Sequence, residues 1–114
     1  MQSQFRLEMR TEGGATLIVV HGELDLASAP ELEAELGRLP EPPPELLIVD
    51  LRQLGFMDST GLSILVKAHQ RAVEEDREFG LVRGSPQVQR LLELTGVTER
   101  LLMADSPEEL FAGG

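Results

Sequence analysis

Cysteine is absent from the 114 residues, which excludes disulfides and thiolate chemistry and fits a reducing compartment. Tryptophan and tyrosine are absent too, and the four aromatic residues are all phenylalanine, so aliphatic side chains must supply most of the core packing. No stretch approaches the run of about 18 apolar residues that a membrane-crossing helix needs. Met1 to Glu8 has neither the basic start nor the apolar centre of a secretory signal. The default expectation is a soluble cytoplasmic protein with no membrane partner. Basic residues are few: 10 Lys and Arg stand against 20 Asp and Glu, a formal net charge of -10. A nucleic-acid binder needs cations to displace counterions, and a binder of anionic lipid needs much the same, so neither partner is expected. The acidic surplus serves solubility or steers an encounter with a basic protein patch.

Several catalytic signatures are missing as well. There is no Gly-x-x-x-x-Gly-Lys phosphate loop and no Gly-x-Gly-x-x-Gly run, so autonomous nucleotide hydrolysis is unsupported. His21 and His69 have no second histidine at ligand spacing and no cysteine to join them, so neither a metal nor any other cofactor is expected. His69 falls between Leu65 and Val73 on an apolar helical stripe and reads as a partly buried core histidine. A nucleophile elbow requires Gly-x-Ser-x-Gly; before Ser59 the position is Met57, and only the trailing Gly61 matches. A response-regulator receiver would end its first strand in paired acids, whereas this chain reads Met9-Arg10-Thr11 there.

What is present is an ordinary small α/β pattern. The 41% apolar content and the length suit one domain over residues 1–114, burying about 65% of its unfolded surface. Phe5, Leu7 and Met9 alternate with charged residues as in a half-buried strand; Glu12-Gly13-Gly14 then gives a turn into a second strand, Ala15 to His21. Gly22-Glu23-Leu24-Asp25 reads as a loop out of that hairpin. Ser28 with Pro30 and Glu31 marks a capped helix start, and Leu32, Leu36 and Leu39 form its apolar face with Ala29. That helix should stop near Leu39, where Pro40 and Pro42-Pro43-Pro44 make a stiff connector.

Leu46 to Leu51 is the continuous apolar run of a doubly covered strand, and a helix should follow from the Asp58 region to about Glu75. Glu78 to Arg83 is another short strand. Ser85-Pro86 opens a helix with Val88, Leu91, Leu92 and Thr95 on one face, closed by Gly96. Leu101 to Met103 reads as a last strand and Ser106 to Phe111 as a closing helix. The order β-β-α-β-α-β-α-β-α implies an α/β fold: a central mixed five-stranded sheet, mostly parallel after the opening hairpin, covered by about four helices.

The chain is organised around Leu54 to Leu62, where Asp58-Ser59-Thr60 stands between the central strand and a helix start. All three residue types suit a cap or first turn, and the unpaired N–H groups of a helix start favour an anion nearby. A hydroxyl held there can cap, attack or accept a phosphate. A phosphate would add about -1.5 to -2 charges, tolerated by the helix dipole yet repelling to a docked partner, especially beside Asp58 and Asp25.

Phe56-Met57-Asp58-Ser59-Thr60-Gly61-Leu62, with Gly22-Glu23-Leu24-Asp25 upstream and Leu94-Thr95-Gly96-Val97 downstream, resembles a STAS domain, and more narrowly the bacterial anti-sigma-factor antagonists. The likeness spans nearly the whole chain. It implies a STAS fold and a non-enzymatic switch protein. In that family the unphosphorylated antagonist binds an anti-sigma factor with serine kinase activity and frees the sigma factor; phosphorylation abolishes the binding and a serine phosphatase restores it. By position, the resemblance implies Ser59 as phosphoacceptor with Thr60 secondary, and Asp58, Ser59, Thr60, Gly61, Asp25 and Glu23 as partner-binding residues, Gly61 allowing close approach at the helix start. Many such antagonists continue Gly-Leu-Gly where this chain has Gly61-Leu62-Ser63. The same resemblance also embraces a constitutive STAS interaction subunit of a sensory or transport assembly, and a nucleotide-binding STAS module.

Overall fold

The computed structural model describes residues 5–39, 42–96 and 101–112. Among them ten elements follow one another: β1 (Arg6–Glu12), β2 (Ala15–Leu24), α1 (Ala29–Gly37), β3 (Leu46–Asp50), β4 (Leu54–Met57), α2 (Ser59–Glu74), β5 (Glu78–Val82), α3 (Pro86–Leu94), β6 (Leu102–Ala104) and α4 (Pro107–Ala112). The sheet runs β1-β2-β3-β5-β6, with β4 pairing separately to β2. β1 and β2 are antiparallel, joined through Gly13 and Gly14; Gly13 has φ +61°, which a residue without Cβ adopts at no steric cost. All other pairings are parallel.

Alternation along the strands builds two apolar surfaces. Ile18, Val20, Val49 and Leu81 belong to the larger core with Leu32 of α1, Leu65 of α2, and Val88 and Leu92 of α3. Leu17, Ile48 and Val82 form a smaller cluster with Leu110 and Phe111 of α4. His69 is partly buried, as its place on the stripe suggests, with its ring centroid 6.0 Å from that of Phe79.

The five expected strands and four helices are present, and several details differ. A sixth strand, β4, lies within the segment read as a strand-to-helix junction. Gly22-Glu23-Leu24 is strand rather than loop: β2 pairs β3 through Ala15–Val19 and then, after a register shift between Gly22 and Glu23, pairs β4. Gly22 makes the change of partner with φ +96°, a backbone region open chiefly to glycine. Helix α1 ends at Gly37, short of Leu39, although Leu36 and Leu39 still pack on the core. Val73 leaves the apolar stripe of α2 and is 58% exposed, while its neighbour Ala72, 1% exposed, is the residue that faces the core in that turn. The last strand begins at Leu102 and α4 at Pro107, each one residue later than the sequence pattern suggests. Pro40 of the proline tract and Val97 lie outside the described residues.

The turn from β3 to β4 is fixed by charge. Asp50 is 2% exposed, and its carboxylate accepts from the Arg52 main-chain N–H at 3.0 Å and from the Arg52 guanidinium at 2.8 Å. That hydrogen bond is the largest cause of a raised Arg52 pKa. Leu51 carbonyl oxygen lies 2.6 Å from where a Cβ on Gly84 would stand, so that turn also relies on a bare backbone opposite it. The chain is thereby aimed along the end of β2.

Candidate functional site at the start of helix α2

β4 is short, and each of its edges is occupied by something different. Toward β2 the rungs are Glu23↔Phe56 and Leu24↔Met57, and the Asp58 amide donates to the Leu24 carbonyl at 3.1 Å. On the other edge the Gln87 carboxamide bridges Met57: its Oε1 accepts from the Met57 amide and its Nε2 donates to the Met57 carbonyl, both at 3.0 Å. A single side chain from α3 thus stands in for a neighbouring strand. Met57 itself is fully buried, so the residue before the junction has no freedom to shift.

Asp58 then leaves the sheet in extended conformation (φ -107°, ψ -175°) and caps α2; its Oδ1 accepts from the Gly61 amide at 3.0 Å. Its carbonyl takes the first helical bond, from the Leu62 amide at 3.0 Å. Ser59 is consequently the first residue of the helix and not its cap. Its side chain is exposed, and among the described residues its hydroxyl has no hydrogen-bond partner. Thr60 is half-buried. The amides of Ser59 and Thr60 have no intrahelical acceptor by helix geometry, so the space before α2 faces two free donors.

Gly61 is where the helix meets the sheet. A Cβ there would stand 2.6 Å from Leu24 Cγ and 2.8 Å from the Leu24 carbonyl oxygen, and Leu24 is fully buried. Only glycine lets the first turn of α2 sit on the end of β2. The Gly22-Glu23-Leu24-Asp25 and Asp58-Ser59-Thr60-Gly61 segments are therefore brought side by side. Glu23 is exposed. Asp25 is half-buried and does internal work: its Oδ1 accepts from the amides of Ala27 and Ser28, at 3.0 and 3.1 Å.

Ser28 departs from its sequence reading. It precedes α1, yet its hydroxyl makes no capping bond. It donates instead to the Glu23 carbonyl at 2.6 Å and accepts from the Asp25 amide at 3.0 Å. The start of α1 is closed by main chain, the Ala29 amide donating to the Asp25 carbonyl at 2.8 Å. Gln87 and the role of Ser28 escape a reading of the sequence. Gln87 is 30 positions from Met57, and no local pattern announces a side chain that substitutes for a strand.

Carboxylates dominate the electrostatics here. Glu23, Asp25 and Asp58 lie on the two segments that meet at the Leu24↔Met57 rung, and among the described residues none of the three is in an ion pair. Among the described residues, too, no group of three or more His, Asp and Glu is disposed to hold a metal, and no helix is long and apolar enough to cross a membrane.

The STAS-domain family model matches residues 6–110. The chain belongs to the STAS-domain family. Similar proteins include an anti-sigma-B factor antagonist of Staphylococcus aureus, 29% identical over 102 residues, spanning 90% of this chain and 94% of the relative. An anti-sigma-F factor antagonist of Mycobacterium tuberculosis, RsfB, is 26% identical over 100 residues, covering 88% of this chain and 81% of its own. A crystal structure of an anti-sigma factor antagonist from Mycobacterium paratuberculosis superposes with a TM-score of 0.88 at 25% identity, covering 96% of this chain and 93% of that one. The six-stranded sheet and four helices of this STAS domain thus have a close spatial counterpart.

Proposed function

We infer that this STAS domain is an anti-sigma-factor antagonist: a binding protein that, with Ser59 unmodified, holds an anti-sigma factor and so frees a sigma factor. Its relatives bear that name, and the chain spans most of their length. In this reading the anti-sigma factor is also a serine kinase, Ser59 is its phosphoacceptor with Thr60 secondary, and a serine phosphatase reverses the mark. The observation that supports it best is the exposed Ser59 hydroxyl, released from capping by the Asp58 carboxylate. A phosphate there adds about -1.5 to -2 charges. The helix start partly offsets that charge within the domain, while Glu23, Asp25 and Asp58 add to it as seen from outside. A partner that had docked on the neutral hydroxyl is expelled.

Incubating the protein with the anti-sigma factors of its source organism and ATP, followed by intact-mass measurement, tests this. One added phosphate that is lost in Ser59→Ala, together with weaker binding of the modified form, is the expected result. Phosphate mapping outside Ser59 and Thr60, or none with any anti-sigma factor that binds, rejects the phospho-switch and leaves a constitutive binding subunit.

A further inference from the structure

β1 ends the sheet. Among the described residues its only strand neighbour is β2, so its outer edge presents main-chain N–H and C=O groups with no strand to meet them. Proteins guard such an edge with proline, bulges or charges that repel a second strand. β1, Arg6-Leu7-Glu8-Met9-Arg10-Thr11-Glu12, has no proline, and its register with β2 is unbroken over all seven residues. Leu7 and Met9 stand beside Val20 and Ile18, which are fully buried in the larger core, yet Met9 is 38% exposed: the apolar face stops at an uncovered edge. Arg6, Glu8, Arg10 and Glu12 alternate onto the other face. Arg6 and His21 both lie near Glu8, at 3.6 and 3.2 Å, whereas Arg10 and Glu12 are in no ion pair among the described residues.

The order of those charges is self-complementary. In an antiparallel pair the bonding residues alternate, so a two-fold axis relating two copies of β1 must pass through a residue. Centred on Met9, all seven residues pair: Arg6 meets Glu12 of the second copy, Leu7 meets Thr11, Glu8 meets Arg10 and Met9 meets itself. Centring on Glu8 or Arg10 sets that charge against its own copy and adds a second like-charged pair. Centring on Leu7 or Thr11 keeps one opposite pair but overlaps only three residues of the strand. We propose that the β1 edge binds a second copy of this chain in the Met9-centred register, making one continuous sheet from two domains. The net charge of -10 on each copy opposes association, but it is screened beyond about 8 Å at physiological salt, while cross-strand partners lie about 5 Å apart. β4 pairs β2 at Gly22–Leu24, beyond the Ala15–His21 stretch that β1 covers, and the inference does not depend on how Ser59 is used.

Sedimentation equilibrium of the full chain at physiological salt, across its soluble concentration range, should show a reversible monomer–dimer equilibrium. Arg10→Glu and Glu8→Arg, each alone, set like charges across the axis and should weaken the dimer at least about tenfold. Mixing the two variants restores opposite charges at both positions and should recover dimer that neither forms by itself. Thermal melts close to the parent's show that the variants are folded. Because the chain has no cysteine, a single introduced one reports the register. Met9→Cys lies opposite its own copy, within disulfide reach, and should cross-link under mild oxidation. Thr11→Cys lies about 13 Å from its copy and should not. A parent that stays monomeric throughout, with Met9→Cys cross-linking no faster than Thr11→Cys, overturns the proposal. So does a dimer that both charge variants leave intact, since it must then form through another surface.

Discussion

Ser28 and Ser59 stand at the heads of two helices packed on the same sheet face, a few residues from one β2–β4 rung, yet their hydroxyls have opposite fates. That of Ser28 is buried and doubly bonded, between the Glu23 carbonyl and the Asp25 amide. That of Ser59 is exposed, with the helix already capped by the carboxylate beside it. Identical chemistry is thus made structural in one place and addressable in the other by a single choice: which neighbouring group closes the helix end. Ser85 gives a third outcome, since its own hydroxyl accepts from the Val88 amide and caps α3. A serine near a helix start becomes available for modification when an adjacent acid has taken over its customary task.

The strongest way to break the contrast is to disturb the contact that places α2. Gly61→Ala sets a methyl 2.6 Å from Leu24 Cγ and against its carbonyl, in a junction with no slack. It should cost about 3 kcal/mol, read as a lowered urea midpoint, because neither the buried leucine nor the strand backbone can retreat. Next, Ser28→Ala should cost about 2 kcal/mol by chemical denaturation, since the Glu23 carbonyl and the Asp25 amide lose their buried partner. Gln87→Ala removes both bonds to the Met57 backbone and should cost about 1–2 kcal/mol. Faster hydrogen exchange at the Met57 amide, with little change in β3, would mark the effect as local to β4.

Asp58→Ala sharpens the comparison. It should cost about 1 kcal/mol in thermal unfolding, the usual worth of an N-cap, with Asp58→Asn recovering most of it. Ser59→Ala is the smallest: within about 0.5 kcal/mol of the parent by the same melt, because the hydroxyl is exposed and unbonded. A loss in Ser59→Ala as large as that in Ser28→Ala would abolish the distinction between the two serines.

Much of this was legible in the chain. Alternation in β1, the Gly13-Gly14 turn, the apolar run of β3 and the Ser85-Pro86 start of α3 are local signals, and each element appears close to where its pattern puts it. The importance of Asp58-Ser59-Thr60-Gly61 was legible too, since two hydroxyls and an acid between a strand and a helix are conspicuous. Their division of labour was not. Asp58, Ser59 and Thr60 all suit a cap by residue type, and only the strand's exit direction at Asp58 decides that the carboxylate reaches the Gly61 amide. Ser28-Pro30-Glu31 carries the cap signature of α1, yet the Ser28 hydroxyl is drawn back to Glu23 because β2 continues through Gly22 and leaves that carbonyl within 2.6 Å. The sixth strand was hidden for a similar reason: Leu54 to Met57 has only four residues and becomes a strand through pairing with β2 and the Gln87 bridge.

Composition and local pattern by themselves determined a cysteine-free, acidic α/β domain with a hydroxyl-rich helix start after its central strand. Those properties depend on residue type and near neighbours, which the order of amino acids contains directly. Tertiary structure alone decided which hydroxyl is open to solvent, which carboxylate is occupied and which apolar side chains stand beside them. Those outcomes follow from segments distant in the chain meeting at one rung, where a backbone group is either satisfied by a neighbour or left for a partner.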